Sequence, residues 1–255
     1  MIRYPVLLLL LIIHINSKGQ DLKRIRIGLN YGVHYIDKTK LHIGSPSDLL
    51  IPMENYMNSY SLDLNYYFTK TFGVKLLADF YSKRTLEGYL TEIDNYMFSK
   101  YGSDYFLLSS YGNTYTKAPL LQGQYLGLNY RRNMGKNHVE FSTIFGWFYI
   151  ENLVINRTYK QKNSHEKLIY QLGMDRPFLE NGALGVVGNY NWTINEWVGL
   201  NVKILVSTVF IRDAVFYESE KSLITKETIN KEYNYHTNLV STSLTLGINF
   251  SFSSY

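Results

Sequence analysis

From Ile25 to Tyr35 the odd positions read Ile25, Ile27, Leu29, Tyr31, Val33, Tyr35, and the even ones between them Arg26, Gly28, Asn30, Gly32, His34. Strict alternation is the mark of a strand whose two faces meet different surroundings. The pattern recurs with apolar sets Tyr60 to Phe68 and Phe72 to Phe80, separated only by Thr69-Lys70-Thr71. A fourth set is Leu126, Leu128, Tyr130, with Gln122 and Gln124 upstream, and a fifth runs from Val139 to Tyr149 after a turn at Arg132 to His138. Leu184 to Trp192 and Val198 to Phe210 follow, joined by Thr193 to Trp197, and the eighth set runs from Thr242 to Phe252. Eight strands are predicted.

None of these apolar positions carries a charge, whereas the alternate positions include Arg24, Arg26, Asp63, Lys75, Asp79, Glu140 and Lys203. A Lys or Arg facing lipid at mid-depth costs a barrel roughly 2–4 kcal/mol, which explains a charge-free face. A soluble barrel of the lipocalin type has the same period but turns its apolar face inward. An eight-stranded barrel has an interior just wide enough for side chains, and a set containing Trp147, Trp192 and many Phe and Tyr is too bulky for it. The opposite face is small, with glycines at 28, 32, 73, 123, 127, 146, 185, 199 and 247, as a crowded interior favours.

Connections alternate in length. Short ones follow strands two, four and six, and long ones occupy about 36–58, 82–119, 151–183 and 211–236. Outer-membrane barrels have short periplasmic turns and long extracellular loops. The expected fold is therefore an all-β, eight-stranded antiparallel up-and-down transmembrane β-barrel with long extracellular loops and both termini in the periplasm.

Composition adds to this in two places. Arg3 precedes an apolar run from Val6 to Ile15 and then Asn16-Ser17-Lys18-Gly19, which reads as a secretory signal over residues 1–19 cleaved before Gln20, leaving 20–255 as the barrel domain. Cleavage removes Arg3 and Lys18 and no acid, lowering the formal charge from +5 to +3, so no nucleic-acid partner is expected. The absence of cysteine excludes disulfides, thiolate metal sites and an N-terminal lipid anchor on Cys.

The signal with Gln20, the Tyr66-Tyr67-Phe68-Thr69-Lys70 segment before a turn, Ala118-Pro119-Leu120-Leu121 before strand four and the alternating aromatic end Ile248 to Phe252 resemble the outer-membrane protein β-barrel domain family, which includes small barrels of the OmpA and OmpX types. The resemblance covers nearly all of the mature chain. It implies residence in the outer membrane among its lipids and lipopolysaccharide, and assembly by the barrel-insertion machinery, with Phe252 rather than the out-of-step Tyr255 as the terminal signal. No separate peptidoglycan-binding domain follows, so no wall tether of the OmpA kind is expected.

Chemistry is sparse. The histidines at 14, 34, 42, 138, 165 and 236 show no metal-ligand spacing, and no metal or cofactor is expected. His34 and His236 fall near the same ends of strands one and eight, with Ser241 and Ser243 after them, the one arrangement that a membrane-embedded lipid hydrolase could use. No nucleophile elbow, phosphate loop or dinucleotide fingerprint accompanies it. Charges held away from water need partners, so Arg26, Lys75 and Lys203 are expected to interlock with Asp63, Asp79 and Glu140 and brace the interior; a narrow ion path is the alternative. The second loop carries Tyr89, Tyr96, Tyr101, Tyr105, Tyr111 and Tyr115, either a binding surface or rings buried against a neighbouring loop. The third balances Arg157, Lys160, Lys162 and Lys167 against Glu151, Glu166, Asp175 and Glu180. The expected function is non-enzymatic, structural or surface-binding, with a narrow pore as the alternative and the hydrolase a distant third.

Overall fold

The computed structural model describes residues 23–37, 56–82, 86–102, 104–110, 121–151, 155–174 and 178–253. The signal segment, Tyr111, Tyr115, Ala118-Pro119-Leu120, Asp175 and Tyr255 lie outside the described residues. The strands are β1 (Lys23–Asp37), β2 (Tyr56–Tyr67), β3 (Phe72–Ser82), β4 (Tyr105–Ser110), β5 (Leu121–Met134), β6 (Asn137–Glu151), β7 (Ile155–Gln161), β8 (Lys167–Met174), β9 (Phe178–Thr193), β10 (Val198–Ser222) and β11 (Thr228–Ser253). One helix, α1 (Leu86–Tyr101), lies between β3 and β4.

Eight of these strands close a barrel. The pairing runs β11-β1-β2-β3-β5-β6-β9-β10 and returns from β10 to β11, antiparallel throughout. They contain the eight alternating segments, Phe68 apart, but β9, β10 and β11 extend into the stretches 151–183 and 211–236 expected as loops, and closure leaves these eight staves no free edge through the barrel wall. The register keeps like with like: Leu29 lies opposite Leu62, and Leu62 opposite Ala78. Leu128 is 68% exposed while its neighbour Asn129 is 1% exposed, so apolar side chains point out and polar ones in.

Short turns close the end that also holds the two chain ends of the barrel. Two of the three have a side chain that replaces a missing ladder bond. Thr69 Oγ1 accepts from the backbone N–H groups of Thr71 (3.2 Å) and Phe72 (2.8 Å), and Asn195 Oδ1 accepts from Trp197 and Val198, both at 2.9 Å. Gly135, at φ +64°, supplies the left-handed residue in the tight link between β5 and β6.

At the other end the chain does not dissolve into loops. β10 and β11 continue as one long hairpin beyond the last β9 pairing at Phe210–Gly182. Their register shifts between Ile211 and Ala214, where β10 carries one residue more than β11, so the inward side changes from odd to even positions along β10. Above this bulge β8 takes the place of β9 beside β10, followed by β7 and β4, and a raised five-stranded sheet results.

The outward assignment has a direct check. Cysteines at positions 126, 128 and 130 are expected to react with a lipid-soluble probe, and those at 125, 127 and 129 to be protected. A reversed pattern would put the register off by one residue.

Candidate functional site

The interior has two storeys. The one nearer the short turns is ionic. Glu140 is fully buried and accepts hydrogen bonds from the Arg26 guanidinium and the Tyr67 hydroxyl, with Asn189 Nδ2 at 3.4 Å. His138 closes the group, its Nε2 3.4 Å from Glu140 and 2.5 Å from Arg26 Nη1, and the Arg131 guanidinium stacks 3.9 Å above the Tyr67 ring. Deeper in, Asp63 stands between two lysines, 3.8 Å from Lys75 Nζ and 3.5 Å from Lys203 Nζ, and accepts from Asn30 at 2.6 Å. Lys203 also reaches Asp79 at 3.5 Å and donates to Ser61. The structure thus gathers Arg26, Asp63, Lys75, Asp79, Glu140 and Lys203 into two linked groups, three cations facing three carboxylates, every one of them buried. Arg24 contributes nothing that can be described.

These side chains converge because each occupies an inward position on a different stave: β1, β2, β3, β6 and β10 each send one or two into the same section of a narrow tube. Glycine provides the space. A Cβ on Gly123 would lie 2.5 Å from the Tyr125 ring, so the absence of a side chain there lets that ring fold into the interior.

The second storey is apolar and was not legible as such in the sequence. Ile36, Ile144, Phe148, Leu205, Val209 and Ile211 are all 0–1% exposed and fill the tube toward the raised end. Between the storeys Tyr81 donates to Asp79 at 3.2 Å, stacks on Phe148 at 5.7 Å between centroids, and lies 3.8 Å from the His34 ring. His34 faces Ser243 in the register, and among the described residues its two ring nitrogens have no hydrogen-bond partner, nor has Ser243 Oγ. His236 is exposed and lies beyond the β1 pairing, so the sequence-level pairing of His34 with His236 is not made. Ser241 instead bonds Ser207 at 2.7 Å.

On the raised sheet α1 covers the side continuous with the barrel interior. Its apolar positions Leu86, Leu90, Ile93 and Met97 recur at helical spacing, and Ile93 and Met97 are buried. The helix stops at Gly102, whose φ of +85° and N–H to the Phe98 carbonyl (2.9 Å) form a left-handed cap. Polar clasps hold it down. Lys100 and Tyr101 both donate to Glu220, Tyr96 lies 3.4 Å from Glu218, and Asp94 pairs with Arg157 (3.5 Å) and accepts from Tyr159 (2.7 Å). Of the six loop tyrosines, Tyr96 and Tyr101 are therefore engaged within the fold, Tyr105 packs beside Tyr101, and the Tyr89 side chain is outside the description.

These clasps titrate. Partial burial and the nearby Glu218 and Glu220 push the Tyr96 phenol from its ordinary 10.0 up to about 12, and burial with the Glu220 bond raises Tyr101. A phenol whose pKa is higher when docked contributes its full stabilisation below 10 and loses it as pH rises through about 12. Absorbance titration at alkaline pH should show that Tyr96→Phe removes a late-ionising tyrosine. Loss of one that titrates near 10 would mean that α1 is not docked in solution.

Among the described residues no group of three or more His, Cys, Asp or Glu could hold a metal ion. Among the described residues no helix is long and apolar enough to cross a membrane. A closed eight-stranded barrel with an apolar outer wall and buried charges inside defines the outer-membrane type of β-barrel. The chain is similar to Neisserial surface protein A at 8% identity, over 89% of this chain and 97% of that one, with a TM-score of 0.46. It is also similar to the attachment invasion locus protein Ail of Yersinia pestis (8%, 91% and 100%, 0.41) and to the outer membrane protease OmpT of Escherichia coli (8%, 93% and 100%, 0.41). No family model and no curated protein matches the chain.

Proposed function

We propose that this protein is a sealed, non-conducting outer-membrane barrel whose work is done on its raised sheet and helix, where it binds at the cell surface. The observation that carries the reading is the apolar storey: Ile144, Phe148, Leu205 and Val209 are packed across the tube with essentially no exposure. A conducting path needs either polar lining or enough width for water, and eight strands with these side chains inside supply neither. The ionic storey then acts as internal bracing. Three cations and three carboxylates compensate one another deep in the tube, with Arg131 the further cation at the turn end above Tyr67.

In this reading the short turns and both termini are periplasmic, the raised sheet is extracellular, and the outer wall meets the lipids and lipopolysaccharide of the membrane after delivery by the barrel-insertion machinery. A hydrolase is disfavoured because His34 and Ser243 are buried away from lipid and, among the described residues, no orienting carboxylate is bonded to His34. Single-channel recording on the purified protein is expected to give no steady conductance step. A reproducible open level in the unmutated protein would replace the sealed barrel with the narrow pore.

A further inference from the structure

The apex of the raised sheet combines two features that the clasping of α1 does not explain. The first is an exposed apolar tip. Leu223 and Ile224, in the turn between β10 and β11, are 43% and 56% exposed, and Ile229 just past the turn is 53% exposed. The tip is also fixed in shape: Leu223 N–H bonds the Lys167 carbonyl (2.9 Å), Ser222 N–H bonds the Glu227 carbonyl (3.0 Å), and Thr225 N–H bonds Ser222 Oγ (3.2 Å). A turn held at this many points presents its apolar side chains at small entropic cost on binding.

The second is the segregation of charge. The sheet's carboxylates Glu218 and Glu220 point to the helix side and are neutralised there, by Lys231 at 3.9 Å and by Lys100. Lys160, Lys162, Lys167, Lys221 and Lys226 surround the tip, and none of them forms an ion pair among the described residues. Lys160 and Lys167 are opposite one another in the β7–β8 register, and Lys221 lies across Ile169 on the same face. Glu166 and Glu227 are the acids of the two turns, and Ser222 Oγ lies 3.4 Å from Glu166.

We propose that this apex docks onto an apposed anionic lipid bilayer, with Leu223 and Ile224 entering its interface and the five lysines meeting its headgroups. The inference rests on the extracellular placement of the raised sheet given above. The hairpin stands well clear of the protein's own membrane: the Ile211–Ser222 segment of β10 rises at roughly 3.3 Å per residue above the last barrel pairing. An apolar protein pocket would suit Leu223 and Ile224 but would leave the lysines unmatched. Apolar side chains beside a cluster of amines match a surface that is apolar beneath and anionic above.

The test uses the full-length protein in nanodiscs, mixed with phosphatidylserine–phosphatidylcholine vesicles and separated by flotation, with pure phosphatidylcholine vesicles in parallel. Binding is expected only to the anionic vesicles, and to weaken steeply with salt. Replacing lysines with glutamine should weaken it about fivefold for each one changed, and Leu223→Ser with Ile224→Ser by about tenfold or more. Heat-modifiable mobility on electrophoresis, unchanged in every variant, confirms an intact barrel. Equal binding to neutral vesicles, or no loss in the serine variant, overturns the proposal, as does binding to a soluble protein with none to vesicles. Surface accessibility of a tag at Lys226 on intact cells tests the orientation separately: an inaccessible tag would remove the extracellular reading itself.

Discussion

Replacing Glu140 by alanine is expected to destabilise the barrel by about 3–5 kcal/mol, the cost of truncating one member of a buried charge pair. Its carboxylate accepts from Arg26, Tyr67 and Asn189 and lies beside His138. Alanine leaves the buried Arg26 without its counter-charge and Tyr67 without its acceptor, in a section of the tube that also holds Lys75 and Lys203. Glu140→Gln keeps the shape and an acceptor for Tyr67 but removes the charge, so it should fall between alanine and the unmutated protein. Denaturant titration of the barrel in lipid measures both. An interior open to water would solvate the orphaned guanidinium, and the alanine cost would drop to about 0–1 kcal/mol, as for exposed pairs. A loss that small, together with a change in ion selectivity, would favour the pore over the bracing role.

The eight barrel strands and the six interior charges were legible because alternation is a strong signal when one face is lipid and the other polar. A Lys or Asp in an otherwise uncharged strand stands out, as Lys75 and Lys203 do. The apolar storey was hidden for the same reason. From Ile204 to Val209 both faces of β10 are largely apolar, one toward lipid and the other toward the packed interior, so the period disappears where the function is decided. Alternation along β10 predicts an end at Phe210 because the bulge beyond Ile211 exchanges the two faces: Val209 and Ile211 are buried before it, Glu218 and Glu220 after it. Buried carboxylates on a strand then read as loop. Helix α1 has a helical spacing of its own, Leu86, Leu90, Ile93 and Met97, but it lies in a segment whose tyrosines fit a binding surface and rings buried against a neighbouring loop equally well. Tyr96, Lys100 and Tyr101, which hold Glu218 and Glu220, come from a helix more than a hundred residues away, which periodicity does not report.

The plug itself yields the sharpest contrast between two kinds of substitution. Phe148→Ala removes a fully buried ring that stacks on Tyr81, and it should cost about 3–5 kcal/mol through lost burial and the cavity left behind. It should not open the barrel, because Ile144, Leu205 and Val209 still fill the tube and one buried amide, Asn181 opposite Phe148 in the register, is too little polar lining for a continuous water path. Wetting needs polar groups. The triple variant Ile144→Ser, Phe148→Ser, Val209→Ser places three hydroxyls along the same stretch of the tube, each able to hold water, and joins the ionic storey to the raised end. Steady conductance is expected from the triple variant and none from Phe148→Ala or the unmutated protein, with heat-modifiable mobility establishing that each one is folded. A folded triple variant that remained silent would show that another constriction seals the tube. Conductance from Phe148→Ala alone would mean that the storey was already hydrated, and would move the reading from a sealed barrel to a gated path through it.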